Sequence, residues 1–355
     1  MRRLRQIRDL GQQVWLDNIS RALLASGELA QKIAEDGLAG VTSNPVILFN
    51  AISKGSDYQA DLTALRASEP SPERRFERLA IPDIQAACDL FHDLYVESAG
   101  EMGYVSFEVS PRLAQDAEGT FAAAQRLWAE INRPNAMIKI PAAPACLPAI
   151  ERALAAGINV NVTLIFTLQQ ARAVFTACQR GLATRLMRGE PLARVRAVAS
   201  VFVSRVDTAV DALLPDSHAH LRGQIAIASA RTCYATWVAH FGGDGFAALR
   251  NASAHPPALL WASTGTKNAA YRDVVYVEQL IGAGTVNTIP DATLAAFADH
   301  GEAALTLTKG LAQAHDVLQA LPGLGIDLEA IGRQLQLDGL KQFDQAFDQL
   351  MTVVG

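Results

Sequence analysis

Residues 158–164 read INVNVTL, in which Asn159, Asn161 and Thr163 alternate with Ile158, Val160, Val162 and Leu164. In an extended chain these two sets point to opposite faces. The apolar face needs helices packed on it. The amide and hydroxyl face must then point into an enclosed interior where those groups find partners, because burying one unpaired costs about 1–3 kcal/mol. A closed parallel barrel wrapped in helices offers both environments to one strand.

Strand-length apolar or alternating segments recur on both sides of this stretch, at residues 14–17, 40–44, 104–109, 136–140, 198–203, 259–263 and 284–288. Each precedes a longer segment with helical periodicity. Together with 158–164 they make eight βα units, which predicts an α/β chain folded as a (β/α)8 TIM barrel. Such barrels take roughly 250 residues, so the 355 here leave room for long loops and terminal helices. We expect a single barrel domain over residues 1–355, with a helical C-terminal extension from about residue 302. An open doubly wound sheet is the alternative, but no glycine-rich nucleotide fingerprint follows any strand.

Helix boundaries are legible in places. Thr167 and Gln170 form a capping box ahead of Val174, Phe175, Cys178 and Leu182. Leu147, Ile150 and Leu154 share a face that stops at Gly157, and Asp291 after Pro290 opens a helix with Leu294 and Phe297 that ends by Gly301. Two connections are long: Phe49 to Pro82, with a charged stretch from Glu69 to Arg78, and Arg205 to Pro257, with a long helix followed by Gly242, Gly243 and Gly245.

Half the residues are hydrophobic, 19% are charged and the net charge is −5, which excludes a disordered chain and argues against a nucleic-acid partner. Cys88, Cys146, Cys178 and Cys233 lie far apart with no CxxC pair, which fits a reducing compartment better than a disulfide or zinc framework. His218 and His220 read as surface residues. No metal and no cofactor are expected. Met1 to Arg8 lacks the apolar core of a signal peptide, and the longest apolar run, Gly223 to Phe241, is interrupted by Arg231. A cytoplasmic protein without membrane contact is therefore expected, with a homodimer as the assembly allowed for.

Polar residues gather at the C-terminal ends of the expected strands. Asp17 closes VWLD, Thr42 and Asn44 lie in GVTSNP, Glu108 in VSFEV, Lys139 in MIKIP, Ser200 in VASVF and Ser263 in LLWAS. All strands but the last contribute, and in this architecture that end carries the active site. A single such residue is more often a cap, and a structural ion pair between Lys139 and Asp17 or Glu108 stays open. The joint pattern points further, because paired buried charges are at best neutral for stability. A lysine withdrawn from water can attack a ketone as a free amine and form a Schiff base, whose iminium accepts electrons when a carbon–carbon bond breaks. Carboxylates beside it can move the protons that the chemistry requires. Of Lys32, Lys54, Lys139, Lys267, Lys309 and Lys341, only Lys139 sits within an apolar strand.

The segments VWLDNIS, GVTSNPVIL, VSFEVSPRLAQD, MIKIPA, INVNVTLIF, SVFVSR and WASTGTKN resemble those of the transaldolases, in particular their longer bacterial subgroup, over nearly the whole chain. The resemblance implies transfer of a dihydroxyacetone unit between sugar phosphates in the pentose phosphate pathway: sedoheptulose 7-phosphate and glyceraldehyde 3-phosphate give erythrose 4-phosphate and fructose 6-phosphate. It implies Lys139 as the Schiff-base lysine, Asp17 as the acid/base for the substrate hydroxyl, and Glu108 with Thr163 as holders of a water. Thr42, Asn44, Asn161 and Ser200 would bind donor hydroxyls, Phe202 would line the pocket, and Arg205 and Ser263 would hold the phosphate. Many relatives follow the seventh strand with Ser-x-Arg, whereas this chain has Ser263-Thr-Gly-Thr-Lys267, which brings Lys267 into the phosphate set.

Two rivals remain. A class I aldolase like the fructose 6-phosphate aldolases would release free dihydroxyacetone, but relatives of that kind carry a Tyr where Phe202 stands. A non-catalytic sugar-phosphate-binding barrel would have no need of the lysine and both carboxylates.

Overall fold

The computed structural model describes residues 3–355; Met1 and Arg2, which begin the basic N-terminal stretch, lie outside the described residues. The strands are β1 (Gln12–Leu16), β2 (Gly40–Val41), β3 (Tyr104–Glu108), β4 (Ala136–Pro141), β5 (Val160–Ile165), β6 (Ala197–Phe202), β7 (Ala258–Ala262) and β8 (Thr285–Ile289). They pair in parallel in sequence order and close into a barrel. β1 meets β8 along its whole length, from Gln12 opposite Thr285 to Leu16 opposite Ile289. The fold is the predicted (β/α)8 barrel, with each strand displaced from its expected bounds by at most a few residues.

The barrel interior is polar at several levels, and the polar groups pair with one another. Gln12 Nε2 donates to Thr285 Oγ1 at 2.8 Å, and Asn159 Nδ2 donates to the carbonyl of Ala136. Nearer the mouth, Asn161 bridges Ser106 and Ser200. The alternation in INVNVTL thus has its inward amides satisfied across the barrel, while Val160 and Val162 are buried in the hydrophobic core. The alternation breaks at one point. Between Val162 and Ile165 the β5–β6 register shifts, and Leu164 there takes a left-handed φ of 62°. One extra residue on β5 is the ordinary bulge device for re-aiming side chains at a barrel rim.

The helices carry the expected start and stop signals. Thr167 and Gln170 make both bonds of the capping box before the helix Leu168–Met187, and Gly157 has a positive φ of 81° after the helix Leu147–Ala155. The connection from Phe49 to Pro82 turns out to be helical: Pro45–Lys54, Gln59–Ser68 and Pro72–Leu90. Pro82 lies inside the last of these helices, where it removes one backbone hydrogen bond. The helix runs through it because Leu79, Ile84, Ala87 and Cys88 bury one continuous stripe.

The C-terminal extension also differs from its expected start. Residues 302–310 are not helical, and helix resumes after Gly310 as Leu311–Gly323 and then Leu328–Val354. This last helix, called the C-terminal helix below, packs on Pro45–Lys54, Pro72–Leu90 and the end of β5. Its final carbonyls are held by two cations: Arg66 donates to the Val353 carbonyl and Arg75 to that of Val354, each at 2.7 Å. Positive charge at a helix C-terminus complements the dipole. No helix of the described residues is long and apolar enough to cross a membrane.

Candidate active site

A cavity of about 410 Å3 opens at the C-terminal ends of the strands. Its lining includes Asp17, Thr42, Asn44, Lys139, Thr163, Ser200, Phe202, Arg205, Ser263 and Lys267, all singled out in the sequence. Glu108 and Asn161 are buried beneath that lining.

Lys139 is centred by strand register. β3 sets Glu108 opposite Lys139, and β5 sets Asn161 opposite it on the other side. Lys139 Nζ lies 3.1 Å from Glu108 Oε2 and donates to the Ser43 carbonyl at 2.9 Å. Burial pushes the Glu108 carboxyl above its usual range, and the charge of Lys139 pulls it back part of the way. Apart from that ion pair, Glu108 Oε2 has no hydrogen-bond partner, and neither has the buried Thr163 Oγ1. Thr163 lines the cavity with Lys139, so its hydroxyl is open to a small hydrogen-bonding molecule there.

Asp17 leaves the end of β1 and accepts a 2.7 Å hydrogen bond from Thr42 Oγ1. Burial pushes its carboxyl upward as well, opposed by Lys139 and by the Thr42 bond. Thr42 Oγ1 is also 2.6 Å from Thr288 Oγ1, so β8 supplies a polar group after all, the one strand from which none was expected.

Two amides are more committed than their sequence context reveals. Asn44 Oδ1 caps the helix Pro45–Lys54, accepting from Val46 and Ile47 at 3.0 Å, which leaves its amide nitrogen for a ligand. Asn161 uses both ends: its Nδ2 donates to Ser106 at 2.9 Å and its Oδ1 accepts from Ser200 at 2.7 Å. It does not line the cavity, whereas Ser200, which it holds, does.

The far wall carries Phe202, Arg205, Ser263 and Lys267. Phe202 packs on Phe166 with ring centroids 5.0 Å apart, and the Arg205 guanidinium lies over the Phe202 ring at 5.6 Å. Burial lowers the Arg205 pKa from its ordinary value, with Asp17 acting the other way. Ser263 has a left-handed φ of 56° and approaches Ser204 Oγ at 3.0 Å. Lys267 is exposed at the mouth. Among the described residues neither Arg205 nor Lys267 forms an ion pair within 4 Å, and both cations face the same opening.

Sequence reading missed Ser43, Ser106, Thr288, Gln342 and Phe343. Ser43 stood within a quoted motif but acts through its backbone, and Thr288 closes a strand whose polar end was passed over. Gln342 and Phe343 come from the C-terminal helix and line the cavity. No local pattern there tells which surface the helix meets. Among the described residues no group of three or more His, Cys, Asp and Glu is placed to hold a metal ion.

The family described as Transaldolase/Fructose-6-phosphate aldolase matches residues 14–354. The chain is 48% identical over 349 residues to a transaldolase of Neisseria meningitidis and 49% identical over 350 residues to one of Thiobacillus denitrificans, covering 98% of both chains in each case. It is 43% identical over 356 residues to transaldolase 1 of Streptomyces coelicolor, covering 99% of this chain and 93% of that one. The cavity with its buried lysine and two carboxylates thus stands in a chain that belongs to the transaldolase/fructose-6-phosphate aldolase family, as a transferase of the transaldolase kind.

Proposed function

We propose that Lys139 takes a dihydroxyacetone unit from a ketose phosphate as a Schiff base and hands it to an aldose phosphate, interconverting sedoheptulose 7-phosphate plus glyceraldehyde 3-phosphate with erythrose 4-phosphate plus fructose 6-phosphate. The carrying observation is the placement of one amine, 3.1 Å from Glu108 Oε2, in a cavity whose outer wall holds Arg205 and Lys267.

In this reading the Lys139 ammonium passes a proton to the Glu108 carboxylate, the amine adds to the C2 carbonyl of the ketose, and water leaves as the iminium forms. Glu108, ion-paired with Lys139, and Thr163, whose hydroxyl has no partner in the protein, hold the water that shuttles protons in this step. Asp17 then takes the proton of the C4 hydroxyl, the C3–C4 bond breaks, and its electron pair passes into the iminium to leave an enamine. The aldose phosphate departs, an acceptor aldehyde takes its place, and the same steps run backward. A carboxyl pushed upward by burial both accepts and returns a proton more readily near neutrality. Thr42, Asn44 and Ser200 offer hydrogen bonds to the donor's hydroxyls, with Asn161 holding Ser200. Arg205, Ser263 and Lys267 bind the phosphate.

The rival reading, release of free dihydroxyacetone, lacks support at Phe202, which brings no hydroxyl to the cavity. The four cysteines are free and buried, which supports the cytoplasmic assignment. A hydrophobic core cluster running from Leu4 to Val354 supports one domain for the whole chain. Borohydride reduction in the presence of fructose 6-phosphate, followed by peptide mapping, tests the mechanism. The adduct is expected on Lys139, and an adduct on Lys267 or Lys54 instead would overturn the assignment.

A further inference from the structure

The C-terminal helix turns one face to the barrel mouth: Gly332, Gln336, Gly339, Phe343 and Phe347 recur at helical spacing and are all buried. This face lies too close to β5 and its end for larger side chains. A Cβ at Gly339 would stand 2.9 Å from Leu164 Cδ2, and one at Gly332 only 1.9 Å from Thr167 Cγ2. Between the two glycines, Gln336 Nε2 donates to the carbonyl of Leu164 at 2.9 Å and to that of Ala142 at 3.2 Å. Leu164 is the left-handed residue of the β5 bulge, so the helix is bonded to the irregular backbone that aims Thr163.

Two turns further on, the same seam delivers Phe343 to the amine. Lys139 Nζ lies 5.7 Å from the centroid of its ring. Lys139 is 5% exposed and Phe343 4%, yet both line the cavity. The ring therefore covers the nitrogen on the side of the C-terminal helix.

We propose that Phe343 is a specificity-determining residue that keeps the dihydroxyacetone unit on Lys139 for transfer and opposes its release to water. The proposal rests on the Schiff-base reading above. After carbon–carbon cleavage the enamine has two fates. In transfer, its carbon attacks the acceptor aldehyde, the new alkoxide takes a proton from Asp17, and the product ketose is left as an iminium. In release, the enamine carbon takes a proton, water adds to the resulting iminium carbon, a proton passes to nitrogen, and the C–N bond breaks to give dihydroxyacetone and the free amine. Phe343 bears on the step that only release contains, protonation of the enamine carbon: its ring occupies the approach from the C-terminal helix and brings neither a proton donor nor a hydrogen-bond partner for water there.

The test compares the unaltered enzyme with Phe343→Leu, which keeps apolar bulk and removes the ring. Fructose 6-phosphate is supplied with and without erythrose 4-phosphate, and free dihydroxyacetone is measured against transferred product, with borohydride trapping run in parallel. The ratio of release to transfer should rise roughly tenfold, which corresponds to about 1.4 kcal/mol between the two barriers. A purely structural role would lower both rates together and leave the ratio where it was. An unchanged ratio, with Lys139 still trapped, overturns this proposal alone, whereas failure of the unaltered enzyme to be trapped overturns the Schiff-base reading beneath it. Should Phe343→Leu not fold, Gly339→Ala decides by the same ratio, since its methyl group lifts the helix from Leu164: a rise supports the proposal and an unchanged value overturns it.

Discussion

Glu108 Oε2 lies 3.1 Å from Lys139 Nζ because β3 and β4 pair these two residues directly. Asp17 reaches the same amine by a different route, from the end of β1, and is hydrogen-bonded to Thr42 and not to the lysine. The two carboxylates therefore occupy different positions about one nitrogen, and they should serve different steps. Asp17→Ala is expected to form the borohydride-trappable adduct at a rate close to that of the unaltered enzyme while losing turnover by roughly 10²-fold or more, the usual loss for a missing proton-transfer group. Glu108→Ala should slow the trapping itself by a similar factor. Equal trapping rates in the two variants would contradict the division of labour.

The wall with Arg205 and Lys267 should act on binding. A phosphate held throughout the reaction is bound about equally in the ground and transition states, so Lys267→Ala should raise KM more than it lowers kcat. Lys267→Arg should restore binding only in part, because a planar fork does not reproduce a rotating ammonium. Comparing fructose 6-phosphate with unphosphorylated fructose checks the assignment. If Lys267→Ala keeps the full preference for the phosphorylated sugar, Lys267 is a surface residue.

Asn161 should matter without touching the substrate. It donates to Ser106 and accepts from Ser200, and it is fully buried. Asn161→Ala strands both hydroxyls, and a loss of about 2–4 kcal/mol in unfolding free energy is expected from two broken buried hydrogen bonds and a small cavity. Turnover should fall further than that of a variant equally destabilised elsewhere, because Ser200 loses its orientation. Denaturant unfolding combined with kcat for Asn161→Ala and for a distant core variant separates the two effects.

Asp207 makes stability depend on pH. It is buried, and it accepts from the Ala226 amide at 2.7 Å and from Tyr276 Oη at 2.8 Å, tying the helix Ser204–Asp211, which bears Arg205, to the helix Ile225–Gly242. Burial is the main cause that raises its pKa from 3.8 to about 6. An acid raised in the folded state binds its proton more tightly there than in the unfolded chain. Its contribution is therefore fully present below pH 3.8 and is lost as pH rises through about 6. The size is of order 3 kcal/mol. Asp207→Asn does not titrate; its Oδ1 can still accept from Ala226 while its amide N–H donates to Tyr276 Oη in place of accepting, so unfolding free energies measured between pH 4 and 7 should decline less steeply for the variant. Parallel curves for the two proteins would refute this.

The barrel and the chemical core of the site were legible before any coordinates because both depend on short-range periodicity. An alternating segment such as INVNVTL must put its amides on one side, and a lysine inside the apolar strand MIKIP is withdrawn from bulk water. The capping box at Thr167 is equally local, since its bonding partners lie within a turn of the cap, whereas the cap made by Asn44 was not read. The helical nature of the Phe49–Pro82 connection was harder to read, because Pro82 signals a break that the buried stripe around it overrides.

Other features depended on the tertiary structure alone. The pairing of Glu108 with Lys139 follows from strand register, which no single segment encodes. The bulge at Leu164 has a left-handed residue that is not glycine, and it is supported by Gln336, 172 residues further along the chain. The approach of Phe343 to Lys139 likewise depends on how the C-terminal helix crosses the barrel mouth, drawn there by two glycines, a buried amide and the arginines that hold its end. The sequence by itself determined which residues face inward, because that is a matter of period. The tertiary structure decided which inward groups meet, because contact between distant segments is set by packing over the whole chain.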